Sequence, residues 1–364
     1  MKTHNAENER VKRAYFIYLK EARRRCEASI DAVAKALNRF EVYTRFKSFK
    51  AFRTEQAVAF KNHLVGQIST RTLEPLSKAT AYATLAALKA FFQWLAGQPG
   101  FKSRLSSSDE DYFSLSLKDT AIAKTANEER IPTIEQIRHV LARMACETDI
   151  EKRNRAVIAF TLLTGARDNA VASMQLKHID LIQGKIIQDA RQVRTKFSKS
   201  FPTYFFPVGE DVRAIVEDWV TFLREERLWG LDDPIFPATR VILGSEHRFE
   251  AIGLDRRCWS NATPIRTIFK EAFTAAGLTY FNPHSFRKTL ARLGQEICKS
   301  PEDFKAWSQN LGHESVMTTF ASYGQVDMRR QAEIIRELER PKVSQADAAE
   351  MLRQVQELVG RVSA

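Results

Sequence analysis

Hydrophobic residues with helical spacing dominate the first hundred positions of the chain. In the stretch 78–95, apolar residues follow a 3-4-3 spacing that places them on one face of a helix, and Gly97 supplies a stop signal. Similar spacing predicts two further helices upstream, over 29–40 and 55–68. The pattern therefore predicts a helical N-terminal domain. The apolar face of the 78–95 helix consists of Leu85, Leu88, Phe92 and Leu95.

A basic and aromatic stretch, 45–53, separates two of these predicted helices. It contains Phe46, Phe49 and Phe52, with lysines and arginines between them. We predict that the three phenylalanines pack in the core, because large apolar side chains are most often buried. The basic residues between them remain candidates to face DNA.

A second domain is predicted to begin near residue 131. Polar stretches at 103–111 and 125–130 interrupt the helical pattern and are typical of loops. The next helix then starts with Pro132 near its first turn and Thr133 as its cap. The predicted division is an N-terminal domain (1–122), a linker (123–131), a second domain (132–342) and a C-terminal tail (343–364).

The second domain is predicted to be mainly helical with a short β-region. Residues 184–188 and 203–208 are rich in β-forming residues, and 193–200 between them is predicted as strand and turn. The predicted fold class is therefore mainly α with a small antiparallel β-sheet. A helical first domain would be followed by an α+β second domain.

The C-terminal tail has the pattern of an amphipathic helix. Residues 328–338 are predicted as helical before Pro341, and a last helix is predicted over 345–359. Residues 324–364 carry seven basic and seven acidic residues. A neutral amphipathic helix suits a protein partner better than DNA. The apolar side of the last helix consists of Ala348, Leu352, Val355 and Val359.

Composition and charge narrow the class of protein. The 364 residues are enough for two domains, and no run of eighteen apolar residues is present to span a membrane. The first residues lack the apolar core of a secretory signal, and the four cysteines show no zinc or disulfide spacing. A reducing cytoplasm is therefore the expected setting.

The net charge of +12 is concentrated near the N-terminus. Residues 1–130 hold 23 Lys and Arg against 14 Asp and Glu, whereas residues 131–364 hold 33 against 30. An excess in the first third is expected if that part follows a phosphate backbone. Charge alone also allows a role at anionic membranes or in solubility.

Five short segments carry residue types suited to chemistry on DNA. Taken singly, each is more often structural: a Thr-Gly-x-Arg is commonly a helix end, a Leu-Gly-His a turn, and a lone tyrosine a packing residue. Together they have a defined order, with 29 positions from the first arginine to the lysine and ten from the last histidine to the tyrosine. The segments are 164–167, 194–196, 284–287, 311–313 and 322–324.

In this order the segments resemble the tyrosine recombinases, also called the phage-integrase family. That family orders its catalytic residues as Arg, Lys, His-x-x-Arg, His or Trp, and Tyr. The stretch 311–323 matches the family pattern nearly residue by residue, and 77–95 looks like the last helix of the family's core-binding domain. The resemblance covers about residues 10–340. The six matching positions are Arg167, Lys196, His284, Arg287, His313 and Tyr323.

The resemblance implies that DNA is cut without a metal or nucleotide cofactor. Tyr323 would attack the phosphodiester and store the bond energy in a 3′-phosphotyrosyl link, which allows rejoining without ATP. Arg167 and Arg287 would clamp the non-bridging oxygens with forked hydrogen bonds as charge develops. These residue types also suit the reaction on chemical grounds.

Three further residues would hold or move protons. Lys196, on a turn that can reach the minor groove, is the expected acid for the departing 5′-oxygen, and the family assigns His284 to accepting the tyrosine proton. His313 would add a donor to the phosphate or orient the tyrosine. Lys199, three residues past Lys196, is a second candidate for the lysine.

The chain departs from the family pattern beside the first arginine. The family often has an acidic residue three positions after it, and that position is Ala170 here, while Asp168 directly follows Arg167. The support of the site must therefore differ, with Asp168 as a candidate substitute. Tyr204 and Tyr280 are rival tyrosines that we predict to be packing residues, since neither follows a Gly-His at the required distance.

Other classes explain fewer of these features. A type IB topoisomerase uses similar chemistry but does not need the tail, and a metal-dependent transposase would require clustered carboxylates. A helix-turn-helix regulator would explain the charge but not the catalytic order. A module of stacked helices would leave the five segments as coincidence. A relative that binds DNA without cutting it is disfavoured by the complete set of six residues.

The sequence thus predicts a site-specific recombinase or integrase whose two domains clamp duplex DNA. Two protomers would bind each site and four would form the synaptic complex, with accessory recombinases or DNA-bending proteins as further candidate partners. The recognised DNA sequence does not follow from these residues. Nor does the choice among integration, excision, transposition, inversion and resolution.

Overall fold

The chain divides into two compact units, Met1–Asn127 and Glu128–Ala364. The division falls inside the 123–131 segment that the sequence predicts as linker. Each unit contains a hydrophobic core of its own. No helix in the described part of the chain is both long and apolar enough to cross a membrane. The computed structural model describes residues 4–68, 73–106, 108–124, 130–244 and 248–313.

The N-terminal unit is helical, as predicted. The helix predicted over 78–95 begins after Ser77, whose side chain accepts a hydrogen bond from the backbone N–H of Thr80, and it ends at Gly97. Both upstream helices are also confirmed, with ends shifted by one to three residues. The helices are α1 (Ala6–Ile17), α2 (Glu27–Tyr43), α3 (Thr54–Val65), α4 (Lys78–Ala96) and α5 (Leu117–Lys124).

Aromatic rings form the centre of this unit. Phe40 packs edge-on against Phe60, with ring centroids 5.2 Å apart, and lies 5.7 Å from Phe92. In the stretch 45–53, Phe49 and Phe52 are buried, which confirms their predicted packing. Phe46 is only half-buried, at a positive φ of 56°. The basic stretch is therefore pinned to the core by two of its three aromatic residues.

The C-terminal unit is built around one buried helix. Every residue from Ala156 to Thr164 in α7 is buried, so this helix is surrounded by the others of the unit. The predicted cap Thr133 opens α6, where its side chain accepts from the N–H of Gln136, and Pro132 lies just before the cap. The helices are α6 (Ile134–Arg143), α7 (Asp149–Thr164), α8 (Asp168–Val171), α9 (Glu210–Thr221), α10 (Thr263–Ala275), α11 (Pro283–Ile297) and α12 (Pro301–Asn310).

Two small antiparallel sheets complete this unit and confirm the predicted fold class. The first has the strand order β1 (Ile179–Asp180), β2 (Lys185–Gln188), β3 (Phe201–Tyr204). The second is a hairpin of β4 (Pro237–Leu243) and β5 (Phe249–Cys258), which the sequence pattern did not predict.

The strand predicted within 193–200 is wrong. This segment forms a 3₁₀ turn at Lys196–Ser198, and Ser198 has a φ of 50°, which extended backbone does not tolerate. The backbone N–H of Thr195 also donates to the carbonyl of Val193, which folds the chain back on itself. The turn that was predicted here is confirmed.

Candidate active site

The end of helix α7 positions the first arginine of the predicted set. Gly165 adopts the left-handed conformation that ends this helix, and Thr164 donates its hydroxyl to the carbonyl of Phe160. Arg167 follows as the N-cap of α8. Its half-buried guanidinium forms no hydrogen bond or ion pair with another described residue, and burial lowers its pKa. Arg167 therefore presents a partly desolvated cation whose donors remain available.

Helix α11 carries the His-x-x-Arg pair. Pro283 starts the helix after the cap Asn282, and the spacing of three residues places His284 and Arg287 on one face. His284 is exposed, but its pKa is lowered, first because nearby protein atoms displace water from the ring and then by the charges of Arg287 and Arg167. A neutral imidazole that is open to solvent can accept a proton.

Arg287 joins three of the five predicted segments. The side chain is buried, and Nη1 donates to the carbonyl of Gly165 at 2.5 Å. Nη2 donates to the carbonyl of Leu311 and contacts Nε2 of His313 at 3.0 Å. Burial, and then the charge of Arg167, lower the pKa of Arg287. This one guanidinium therefore fixes the ends of the Thr-Gly-x-Arg and Leu-Gly-His segments to the helix that carries it.

His313 follows α12 through Gly312, which has a φ of 68°. Burial and then the positive charges of Arg287 and Arg167 lower the pKa of His313 to about 4, so the ring is neutral near neutral pH. Because a guanidinium only donates, Nε2 must accept from Arg287, and the ring proton lies on Nδ1. His313 is therefore set to donate through Nδ1.

The structure brings four predicted residues together. Arg167 lowers the pKa of Arg287, His284 and His313 through its charge, which places all four in one electropositive site. Such a site attracts an anion, because several positive groups are held where water cannot fully screen them.

The positions of the lysine and the tyrosine of the predicted set, relative to these four residues, are less closely defined. Lys196 is exposed on its 3₁₀ turn. Lys199 is half-buried, and its charge contributes to the lowered pKa of His313. Tyr323 lies outside the described residues, so its role stays a prediction. Both lysines therefore remain candidates for the proton donor.

Asp168, the candidate substitute for the missing acid, is paired with a residue outside the predicted set, and its charge also acts on His284. Its carboxylate pairs with Nε of Arg266 on α10 at 2.7 Å, while Ala170 is buried. Arg287 is held by the carbonyls of Gly165 and Leu311, which lie inside the predicted segments but were not predicted to contact it. The only sequence signal for them was the glycine in each of the two motifs.

Replacing Gly165 with alanine should destabilise the protein and displace the site. The left-handed backbone is strained for alanine, and its Cβ would lie 2.9 Å from Leu290 Cδ1 and 3.1 Å from Leu311 Cδ2. We expect the free energy of unfolding to fall by about 2–4 kcal/mol in chemical denaturation. Gly277→Ala is the matched control, because Gly277 has a φ of 74° but nothing within 4 Å. Equal losses in both variants would show that packing around Gly165 is not tight.

The lowered pKa of His313 predicts a pH dependence of stability. Between its ordinary pKa of 6.5 and the folded value of about 4, the unfolded chain binds a proton at this ring that the folded chain does not. The free energy of unfolding should therefore fall as pH drops through this window. One proton gives a slope of ~1.4 kcal/mol per pH unit in the free energy of unfolding. His313→Gln should flatten the measured slope by only a fraction of this value, because solvent screens the half-exposed ring. Urea denaturation at several pH values would measure this, and parallel profiles would contradict a neutral His313.

Comparison with known proteins places these features in a family. A family model described as "Phage integrase family" matches residues 133–330. Tyrosine recombinase XerC of Stutzerimonas stutzeri is 22% identical over 326 residues, covering 88% of this chain and 93% of that protein. Tyrosine recombinase XerC of Halalkalibacterium halodurans is 20% identical over 317 residues, covering 86% and 92%.

Solved structures share the fold at low identity. A lambda integrase dimer bound to a COC′ core site aligns with a TM-score of 0.59 and 15% identity over 88% of this chain and 99% of that one. The Tn1549 transposon integrase in complex with transposon right end DNA aligns with a TM-score of 0.56 and 14% identity, covering 90% and 99%. XerH recombinase bound to a palindromic difH substrate aligns with a TM-score of 0.55 and 18% identity, covering 88% and 83%.

Proposed function

The chain belongs to the phage integrase family, the tyrosine recombinases that cleave and religate DNA, and on that premise we propose that it is a site-specific integrase of a phage or another mobile element. The observation that carries the proposal is the convergence of Arg167, His284, Arg287 and His313 in one electropositive site. The likeness to lambda integrase and to the Tn1549 integrase supports the mobile-element type. The scattered free cysteines suit a reducing cytoplasm.

In the proposed reaction, the hydroxyl oxygen of Tyr323 attacks the scissile phosphorus. A bond forms between this oxygen and phosphorus, and the bond from phosphorus to the 5′-oxygen breaks, which leaves a 3′-phosphotyrosyl link and a free 5′-hydroxyl. His284 takes the tyrosine proton, and Lys196 gives a proton to the departing 5′-oxygen. Religation is the same sequence reversed, with a 5′-hydroxyl as nucleophile.

The two arginines contribute unequally to phosphate binding. Arg287 uses three of its five N–H donors on Gly165, Leu311 and His313, so it mainly shapes the site and adds charge. Arg167 keeps its donors for the non-bridging oxygens, where a bidentate guanidinium stabilises developing charge. His313 would add a donor to the same phosphate or orient the tyrosine.

Covalent trapping tests this function. The protein would be incubated in EDTA with nicked duplexes that include the DNA flanking its own gene, since a nick lets the cleaved end diffuse away. Adducts that survive denaturation would be digested and the modified peptide identified by mass spectrometry. A nucleotide on Tyr323 would support the proposal, and sequencing the trapped DNA would identify the site. Clear DNA binding with no adduct would favour a relative that has lost cleavage.

We propose duplex DNA and further copies of this chain as partners, two protomers to a site and four in the synapse. Lambda integrase solved as a tetramer on a Holliday junction supports this stoichiometry. An apolar groove of about 750 Å³ lies between β3 and α12, lined by residues that include Phe205 and Trp307. It is a candidate acceptor for the tail of a neighbouring protomer. Accessory recombinases or DNA-bending proteins remain further candidate partners.

Deleting 344–364 should therefore spare binding to a single site but weaken assembly. The expected result is an unchanged affinity for a half-site duplex and a loss of the tetrameric species in gel shift or light scattering. Phe205→Ala in the groove should reproduce part of the defect if the tail docks there. A truncated protein that still forms tetrameric synapses normally would contradict the role of the tail.

A further inference from the structure

Arg194, two residues before Lys196, connects the lysine turn to a different part of the fold. Its Nη2 donates to the backbone carbonyl of Trp259 at 2.6 Å, and Nη1 donates to the carbonyl of Ser260. Its own backbone N–H donates to the hydroxyl of Ser173 at 2.9 Å. The residue that leads into the lysine turn is thus held by contacts to residues 21 to 66 positions away.

Trp259, whose carbonyl accepts a hydrogen bond from Arg194, is itself held by other side chains. Trp259 is buried, and the guanidinium of Arg153 lies over its ring, 5.0 Å from the centroid. Arg153 is buried in α7 and donates to the carbonyl of Pro237 and the hydroxyl of Thr239, both 2.9 Å away in β4. The same helix leads, through Gly165, into Arg167. The anchor of the lysine turn and the phosphate-binding arginine therefore share one structural support.

The turn that follows Arg194 and carries Lys196 is short and contains a residue with a positive φ. Lys196 is exposed on a single 3₁₀ turn, and Ser198 adopts a positive φ. Proton transfer needs the donor within about 3 Å of the leaving oxygen, so the backbone that carries the lysine has to be held in place. Fixing the backbone two residues earlier limits where the ammonium group can reach.

We propose that Arg194 is a positioning residue that places Lys196 for proton delivery to the departing 5′-oxygen. The inference rests on the proposed strand cleavage by Tyr323. In that step the P–O5′ bond breaks, its electron pair stays on the 5′-oxygen, and the lysine ammonium supplies the proton. Arg194 does not touch the reacting atoms. It acts by donating two hydrogen bonds to adjacent carbonyls, a geometry that the planar guanidinium allows and a lysine ammonium does not reproduce.

A sulfur substitution at the leaving atom separates proton delivery from other roles. Duplexes would carry, at the cleavage site found by trapping, either the normal 5′-oxygen or a bridging 5′-sulfur. A thiolate leaves without being protonated, because its pKa is near 8.5, far below that of an alcohol. Single-turnover cleavage rates on both duplexes, together with the Kd for uncut DNA, would be measured for wild type, Arg194→Ala, Arg194→Lys, Lys196→Ala and Arg191→Ala.

With the oxygen substrate, both Arg194 variants should cleave about 10- to 100-fold more slowly than wild type. With the sulfur substrate, the cleavage rates of both Arg194 variants and of Lys196→Ala should recover to within about 3-fold of wild type. The Kd for uncut DNA should be unchanged in all three variants. Arg191→Ala is the matched control and should match wild type on both substrates, because this arginine is exposed in the same loop and pairs only with the nearby Asp189 among described residues.

Three outcomes would overturn the proposal. Equal defects on oxygen and sulfur substrates would show that Arg194 supports the site in general, and a matching rise in Kd would make it a DNA contact. Full activity of Arg194→Lys on the oxygen substrate would show that a positive charge at this position is enough and that the two hydrogen bonds are not needed. If Arg194→Ala does not fold, as judged by loss of its melting transition, Arg194→Lys provides the test in its place. Failure of wild type to cut either substrate would instead overturn the proposed function itself.

Discussion

Tyr323→Phe should abolish the covalent adduct and lower strand cleavage by about 10⁴-fold or more, while leaving DNA affinity unchanged. The substitution removes only the oxygen that forms the bond to phosphorus and keeps the aromatic ring. The loss should be large because the other groups of the site stabilise charge but do not provide a nucleophile. Single-turnover cleavage of a nicked duplex, followed by denaturing electrophoresis, would measure both adduct and rate.

Two matched controls come from the rival tyrosines. Tyr204, on β3, is 54% exposed and Tyr280, just before α11, is 40% exposed, so the prediction that both are packing residues is wrong. Loss of either hydroxyl should still change the rate by less than about 3-fold. The backbone N–H of Tyr204 is held by Asn310, and phenylalanine keeps this bond. An adduct that persists in Tyr323→Phe and disappears in Tyr280→Phe or Tyr204→Phe would move the nucleophile to that position.

Substitution of Arg167 should affect only the cleavage rate, whereas substitution of Arg287 should affect both the rate and the stability of the fold. Arg167→Gln should lower the cleavage rate by about 10²- to 10³-fold without loss of stability, because its guanidinium binds no other described residue. Arg287→Gln should lower the rate at least as much, and it should also lower the free energy of unfolding by about 1–3 kcal/mol. Arg287→Gln should lower stability where Arg167→Gln does not, because the carbonyls of Gly165 and Leu311 lose their hydrogen-bond donors.

Cleavage rates and urea denaturation of the same preparations would measure both effects. Lysine at each position provides a second comparison, since it keeps the charge but loses the forked geometry. A drop in stability for Arg167→Gln, or an unchanged midpoint for Arg287→Gln, would be inconsistent with the roles that we assign to the two side chains.

Local pattern was sufficient to predict three of the N-terminal helices, α2, α3 and α4, but it did not predict α1 or α5. In α4, the residues at positions 85, 88, 92 and 95 are all buried, because a helix that packs on one side leaves a regular apolar spacing. The capping residue Thr133 was predictable for a similar reason, since its side chain satisfies a backbone N–H of the first turn. The six candidate catalytic positions came from resemblance to a family, because no local rule relates residues so far apart in sequence.

Features that depend on distant contacts were not predictable. Strands β4 and β5 lack an alternating pattern because their outer half is exposed on both faces: Val241 is 50% exposed and Phe249 is 80% exposed. The pairing of Asp168 with Arg266 joins residues 98 positions apart. The neutral state of His313 depends on burial and on charges from other segments. Each of these requires the three-dimensional arrangement.

The contacts of Arg287 also bear on how such a gene would decay. A copy that is no longer selected for recombination can lose Arg167 and still produce a folded protein, because that side chain supports nothing else in the described structure. Loss of Arg287 removes the donors that hold two segment ends, so the product is exposed to proteolysis. Among degenerate relatives that still make a stable protein, we therefore expect the first arginine to disappear before the second. Retention of Arg287 alone is then evidence of folding, not of activity.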